Sequence, residues 1–154
     1  LSPLLQGDRR TAYTIGLIHG VGMVFVDRQL TANKATPDPA SLLDERDVRL
    51  LGLTHAEVGA YVLRQWNFPE EITEPVRCQF DPLDCLSFSK SACLLHTSKC
   101  IMRAIVRRAS DTTPPPEPDP LVLTMLNLPA DEYAEVLEET EGKFSLLELA
   151  TSDI

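Results

Sequence analysis

The spacing of the apolar residues is the strongest constraint on this chain. Over most of its length they recur at intervals of three and four, and alternating β-branched runs are scarce. That period buries one face of an α-helix and cannot line one face of a strand. The sequence therefore predicts an all-α protein. Leu53–Trp66, LTHAEVGAYVLRQW, is the clearest instance. Thr54 and Glu57 have capping-box spacing, so a helix should start at Thr54. Gly59, Val62, Leu63 and Trp66 fall at i, i+3, i+4 and i+7 and predict its buried face. Asn67-Phe68-Pro69 should end it. Pro69 suits the first turn of a further helix, whose dipole Glu70 and Glu71 complement and which Pro75 should kink or shorten.

Four other helical stretches follow from the same pattern. Tyr13–Val26 is an uncharged apolar run of fourteen residues, too short to span a bilayer. It predicts one helix over Arg10–Leu30, buried on most sides. Gly16, Gly20 and Gly22 each cost that helix about 1 kcal/mol relative to alanine, which implies close approach of a neighbour. Residues 31–41 read as a loop, and a short helix is expected over Leu42–Leu51, closed by Gly52. A long helix is expected over Asp84–Ala109 with Asp84 as its cap. Leu94, Ile101 and Ile105 form one stripe on it, Cys93, His96, Cys100 and Ala104 an adjacent one, and Arg103, Arg107 and Arg108 suit its C-terminal end. Residues 110–120 hold five of the twelve prolines and read as an extended linker. Beyond it, 121–154 predicts short amphipathic helices punctuated by Gly142, with Ala130, Tyr133, Ala134 and Leu137 on one face. Leu146, Leu147 and Ile154 could dock this tail on the body.

Charge narrows the function. The formal net charge is −9, from 23 acidic and 14 basic residues. Residues 1–109 carry thirteen basic and twelve acidic side chains, whereas 121–154 carry eight acidic side chains and one Lys. An acidic chain has no electrostatic footprint for nucleic acid or an anionic membrane surface. No secretory signal opens at Leu1, and the chain begins without Met, so a fragment or processed product is expected. Cys78, Cys85, Cys93 and Cys100 are spaced by 7, 8 and 7 with no C-x-x-C pair. They read as thiols in a reducing cytosol.

Three segments together resemble the HDOD (HD-related output) domain, a bacterial signalling module of the HD phosphohydrolase superfamily. They are Gly16-Leu17-Ile18-His19-Gly20-Val21-Gly22, Leu51-Gly52-Leu53-Thr54-His55-Ala56-Glu57-Val58-Gly59-Ala60, and Trp66-Asn67-Phe68-Pro69-Glu70-Glu71-Ile72. Leu95-His96-Thr97-Ser98-Lys99 falls where the family carries a V-H-L-A-D/N run. The family's LHD is Ile18-His19-Gly20 here, its His-His-x-Pro is Gln79-Phe80-Asp81-Pro82, and Lys99 replaces an acid or amide. The resemblance implies a helical bundle of the HD-domain type over 1–109, corresponding to the C-terminal part of the module with the N-terminal half missing. Residues 110–120 would be the linker and 121–154 an acidic helical tail. With part of the module missing, a hydrophobic face should lie open.

The substitutions remove metal-binding chemistry, because glycine and phenylalanine offer no ligand and two imidazoles without a carboxylate hold magnesium or manganese poorly. His19 and His55 are therefore vestigial ligand positions, and no catalytic residue, metal or cofactor is expected. His19, His55, Arg64, Arg77 and Gln79 are the candidate ligand cleft, and Gly16, Gly20, Gly59, Trp66 and Pro69 are expected to be structural. A zinc site at Cys93, His96 and Cys100 is outweighed by ordinary burial of cysteine. Acid–base work by Glu70, Glu71 and Glu74 is outweighed by their placement at a helix start. The expected function is a non-catalytic, cytoplasmic output module acting on a protein partner or a second copy, with neither nucleic acid nor membrane as partner. The alternatives are a metal-dependent phosphohydrolase of a nucleotide or cyclic dinucleotide, and a nucleotide sensor without turnover.

Overall fold

A computed structural model describes residues 9–32, 52–107 and 116–151. Its described residues form seven α-helices and no strand: α1 (Arg9–Ile18), α2 (Val21–Ala32), α3 (His55–Gln65), α4 (Glu70–Arg77), α5 (Ser89–Arg107), α6 (Pro120–Met125) and α7 (Ala130–Thr151), with a 3₁₀ turn at Pro82–Asp84. None of these helices is long and apolar enough to cross a membrane. The short helix expected over Leu42–Leu51 and most of the preceding loop lie outside the described residues, as do Arg108 and the first residues of the Pro-rich stretch.

The single helix expected over Arg10–Leu30 is two. The chain turns at His19-Gly20, where Nδ1 of His19 donates to the Gly16 carbonyl at 2.7 Å. That bond satisfies a carbonyl the helix end leaves open, and Gly20 has little propensity to carry the helix on. The break lets α1 pack against α4 and α5 while α2 packs against α3. It also corrects the burial expected of this stretch. Ile15 and Val26 are buried, but Leu17 is 70% exposed and Tyr13, Val24 and Phe25 are also exposed. A hydrophobic face therefore lies open on α1 and α2.

The α2–α3 contact is backbone on backbone. A Cβ on Gly22 would lie 1.9 Å from the His55 carbonyl oxygen and 2.6 Å from the Gly59 nitrogen. Such proximity selects small residues, and the buried face of α3 is His55, Ala56, Gly59, Ala60 and Leu63. This corrects the expected face: Trp66 is 56% exposed and Pro69 is exposed, so neither anchors the packing. Gly16 has open space around it, and Gly20 would meet only the flexible end of Met23. Of the glycines expected to be structural, Gly59 alone sits in a tight helix contact.

Helix ends follow local chemistry. Thr54 and Glu57 close the full capping box. At its other end α3 stops in a Schellman turn: Asn67 takes φ 59°, and Phe68 N–H donates to the Leu63 carbonyl at 3.0 Å. Phe68 then packs on the core of Ile15, Leu63, Ile72, Val76 and Leu95. Helix α6 ends the same way, with Asn127 at φ 50° and Leu128 N–H on the Leu123 carbonyl at 3.0 Å. Leu128 is buried beside Val122, Leu126, Cys93 and Leu94.

Helix α5 is the central element and begins at Ser89, five residues after the expected cap. Asp84 and the neighbouring Cys85 instead bond back to Asp81 and Pro82 in the 3₁₀ turn. Leu94, Ile101 and Ile105 are buried as expected. The tail is also different from expectation. Asp119 caps α6 through a 2.7 Å bond to Leu121 N–H, and α7 runs unbroken through Gly142. Leu146 and Leu147 are exposed, and Ile154 lies outside the described residues. Docking on α5 is done by Val122, Leu126 and Leu128, with Tyr133 packed against them.

Candidate functional site

Three separate segments place polar side chains around one cavity of about 420 Å³, and a fourth stands behind its wall. The α1–α2 turn contributes His19, the start of α3 contributes His55, and α5 contributes Ser98, Lys99 and Arg103. Met23, Leu95 and Met102 form most of the apolar wall. The fourth segment, just past α4, supplies Gln79 and Phe80, which fix the side chains behind that wall.

Gln79 is fully buried and tethers three elements. Its Nε2 donates to the Val76 carbonyl at 3.0 Å and to the His19 carbonyl at 3.3 Å. Its Oε1 accepts from Lys99 Nζ at 2.6 Å, and its backbone carbonyl accepts from His96 Nδ1 at 3.0 Å. A buried amide with every group engaged specifies one arrangement of its neighbours. Lys99 Nζ also lies 4.1 Å from the centre of the Phe80 ring, a cation–π distance. The same ring meets the buried His55 imidazole edge-on, with centroids 5.1 Å apart.

The electrostatics follow from this arrangement. Burial lowers the His19 pKa from its ordinary 6.5, the Gly16 carbonyl opposes that change, and the Lys99 ammonium lowers it further. His19 is thus held neutral, with its proton on Nδ1. Lys99 is a donor with no lone pair to offer while charged, and its charge repels a second cation entering the cavity. The donor set does not fit a divalent metal. Gly20 supplies nothing beside His19, Phe80 supplies an apolar ring beside His55, and no group of three His, Cys, Asp or Glu side chains among the described residues could hold an ion.

The candidate cleft is brought together in part. His19 and His55 line the cavity and Gln79 is buried behind it, bonded to the His19 carbonyl and to Lys99, but Arg64 and Arg77 lie elsewhere. Arg64 lies nine residues beyond His55 on α3, half a revolution around the helix. Both guanidiniums pair with Glu74, Arg77 Nε at 2.9 Å. Burial would raise the Glu74 pKa, but the bonds from Arg77 and Arg64 together lower it. The residues missing from the cleft reading are Lys99, Arg103, Met23 and Met102, with Phe80 behind them against His55 and Lys99. Lys99 is flagged by its departure from the family pattern, and its partner Gln79 sits in another departing segment.

The remaining candidates have structural surroundings. Cys93 and Cys100 are free buried thiols whose pKa values burial raises, and His96 is engaged by Gln79. Cys78 is pushed up to about 12 by burial and by its bond with the Cys85 thiol. Such thiols are poor nucleophiles.

Comparison with known families matches the HDOD domain over residues 4–82, which takes in His19, His55, Gln79 and Phe80 and stops short of Lys99. No curated protein and no solved structure matches the chain.

Proposed function

The chain belongs to the HDOD domain family, and on that premise we propose that it is a non-catalytic output module of bacterial signalling. In this reading it works in the cytoplasm through contacts with a partner protein or a second copy. One observation carries the reading. The ammonium of Lys99, bonded to Gln79 and seated over Phe80, stands beside the two histidines that a hydrolase would use to hold its ion. A fixed cation there opposes a mobile one, and without a bound metal no water has its pKa lowered for attack. The apolar side chains left open on α1 and α2 supply surface for a protein contact. The sensor alternative loses two of its residues, because Arg64 and Arg77 are engaged by Glu74 outside the cavity.

Metal analysis of the purified chain, paired with phosphodiester and phosphomonoester hydrolysis in manganese, tests this reading. The expected result is substoichiometric metal and turnover no faster than a protein-free blank. Stoichiometric metal, or turnover lost in His55→Ala, would reinstate the hydrolase. Light scattering of the pure chain, then capture experiments, should reveal self-association or a defined partner. A strict monomer with no partner counts against the contact role.

A further inference from the structure

We propose that the cavity between α1, α2, α3 and α5 binds a small uncharged molecule with an apolar body and one hydroxyl, which donates to Nε2 of His19. The inference takes the metal-free reading of the cavity from the proposed function but needs no protein partner.

The polar groups around this space differ in what they leave for a ligand. Lys99 is engaged by Gln79 and Phe80, His55 packs on Phe80, and both have further contacts, so these two serve as wall. His19 is different. A carbonyl only accepts, so the 2.7 Å bond to Gly16 places the imidazole proton on Nδ1. Burial keeps the ring neutral, which leaves a lone pair on Nε2. That nitrogen has no partner among the described residues. Ser98, on α5, donates its single proton to the Leu94 carbonyl at 2.8 Å and offers the cavity lone pairs alone. Two acceptors beside a mainly apolar wall of Met23, Leu95 and Met102 call for a donor, because an acceptor left unpaired there loses its hydration without return. The charge of the ligand follows from the same groups. A carboxylate or phosphate brings acceptors only and would set its lone pairs against those of Nε2 and the Ser98 oxygen. An ammonium would meet the Lys99 field that already disfavours a proton on His19, and the Arg103 guanidinium as well. A hydroxyl donates its proton and turns its own lone pairs to Arg103. The volume of about 420 Å³ is that of an ordinary small-molecule site, and the two flexible thioethers can close on apolar bodies of varied shape.

The methionines and His19 provide local readouts. The chain has three methionines: Met23 and Met102 line the cavity, and Met125 lies on α6. The full chain, carrying methyl-labelled methionine and nitrogen-labelled histidine, would be titrated with 4-ethylphenol, 4-ethylanisole and 4-ethylbenzoate near neutral pH and followed by NMR. The phenol is uncharged there, the anisole has no proton to donate, and the benzoate carries a carboxylate in place of the hydroxyl. 4-Ethylphenol should shift the Met23 and Met102 methyls and the Nε2 signal of His19 saturably, with one Kd, and leave Met125 in place. The anisole and the benzoate should each bind at least about fivefold more weakly, the equivalent of the roughly 1 kcal/mol of one net hydrogen bond. Either of them binding as tightly as the phenol overturns the proposal without recourse to a variant. So do methyl shifts with the His19 Nε2 signal unmoved, movement of all three methyls together, or no response. Manganese distinguishes the two readings: perturbation of His19 or Met23 by the metal overturns the metal-free reading and this inference with it. Silence toward both manganese and the phenol overturns only the ligand.

Discussion

Replacing Gly22 by alanine should destabilise the protein, and the same replacement at Gly16 should stabilise it. Both residues are helical, six positions apart on either side of the α1–α2 turn. The added methyl at Gly22 would sit 1.9 Å from the His55 carbonyl oxygen. Carbon and oxygen approach no closer than about 3.3 Å, so α2 and α3 must separate by roughly 1.4 Å. Three backbone atoms lie under 3.0 Å from the new methyl, and none belongs to a side chain that could swing away. Overpacking costs typically ~1–3 kcal/mol, and a rigid backbone contact belongs at the top of that range. Helix propensity returns at most about 1 kcal/mol. The net loss is therefore about 2 kcal/mol. At Gly16 nothing lies within 4 Å of the new methyl, so only the propensity gain of up to ~1 kcal/mol remains. For a chain of this size each kcal/mol moves Tm by about 2–4 °C. Thermal and urea denaturation should then separate the two variants by roughly 6–12 °C. Equal midpoints, or a Gly22→Ala variant as stable as wild type, would falsify the claim that backbone contact sets the α2–α3 distance.

Thr54→Ala opens the capping box and should cost about 1 kcal/mol in urea denaturation, while Thr54→Ser should restore most of it; no loss would mean the box is redundant with packing. His19, whose pKa burial lowers from 6.5, is protonated more readily in the unfolded chain. Its contribution is therefore full above pH 6.5 and is lost as pH falls toward the folded value. Between pH 7.5 and 5.5 wild type should lose more stability than His19→Gln, and parallel pH profiles would refute the burial argument. Leu126→Ala removes a buried side chain of the α5–α6 cluster. It should cost about 2–3 kcal/mol, the low end for such truncations because the cluster is small; an unchanged Tm would show that α6 contributes nothing to the body's stability.

The asparagine turns show how much was legible and how much was missed. Leu63-Arg64-Gln65-Trp66-Asn67-Phe68-Pro69 and Leu123-Thr124-Met125-Leu126-Asn127-Leu128-Pro129 run in parallel along the sequence. Both close a helix with Asn at positive φ, and each seats the next apolar residue in a core. The first was readable as a helix end. The second is hidden because the amphipathic period of the tail points instead to Leu146 and Leu147. On α3, hydrophobicity selected Trp66, whereas the proximity of Gly22 demanded small residues and turned the helix so that Ala56 and Ala60 face inward. At the site, His19, His55 and Gln79 were legible as positions where the family pattern is kept or broken. Sequence order does not show that α3 turns Arg64 half a revolution away from His55, or that Arg103, by position a helix-end charge, lines the cavity.

Residue order alone determined the helical class, the Thr54 cap, the stop at Asn67 and the departures from the family pattern at Gly20, Gln79, Phe80 and Lys99. Each depends on residue identity or on bonds between neighbours three to five positions apart. Tertiary structure decided which faces are buried and which polar side chains meet beside the cavity. Lys99 and Gln79 are 20 positions apart and Gln79 and His19 are 60 apart. Only packing of α1, α4 and α5 brings those atoms within bonding distance, since no local periodicity encodes a contact between side chains so far apart along the chain.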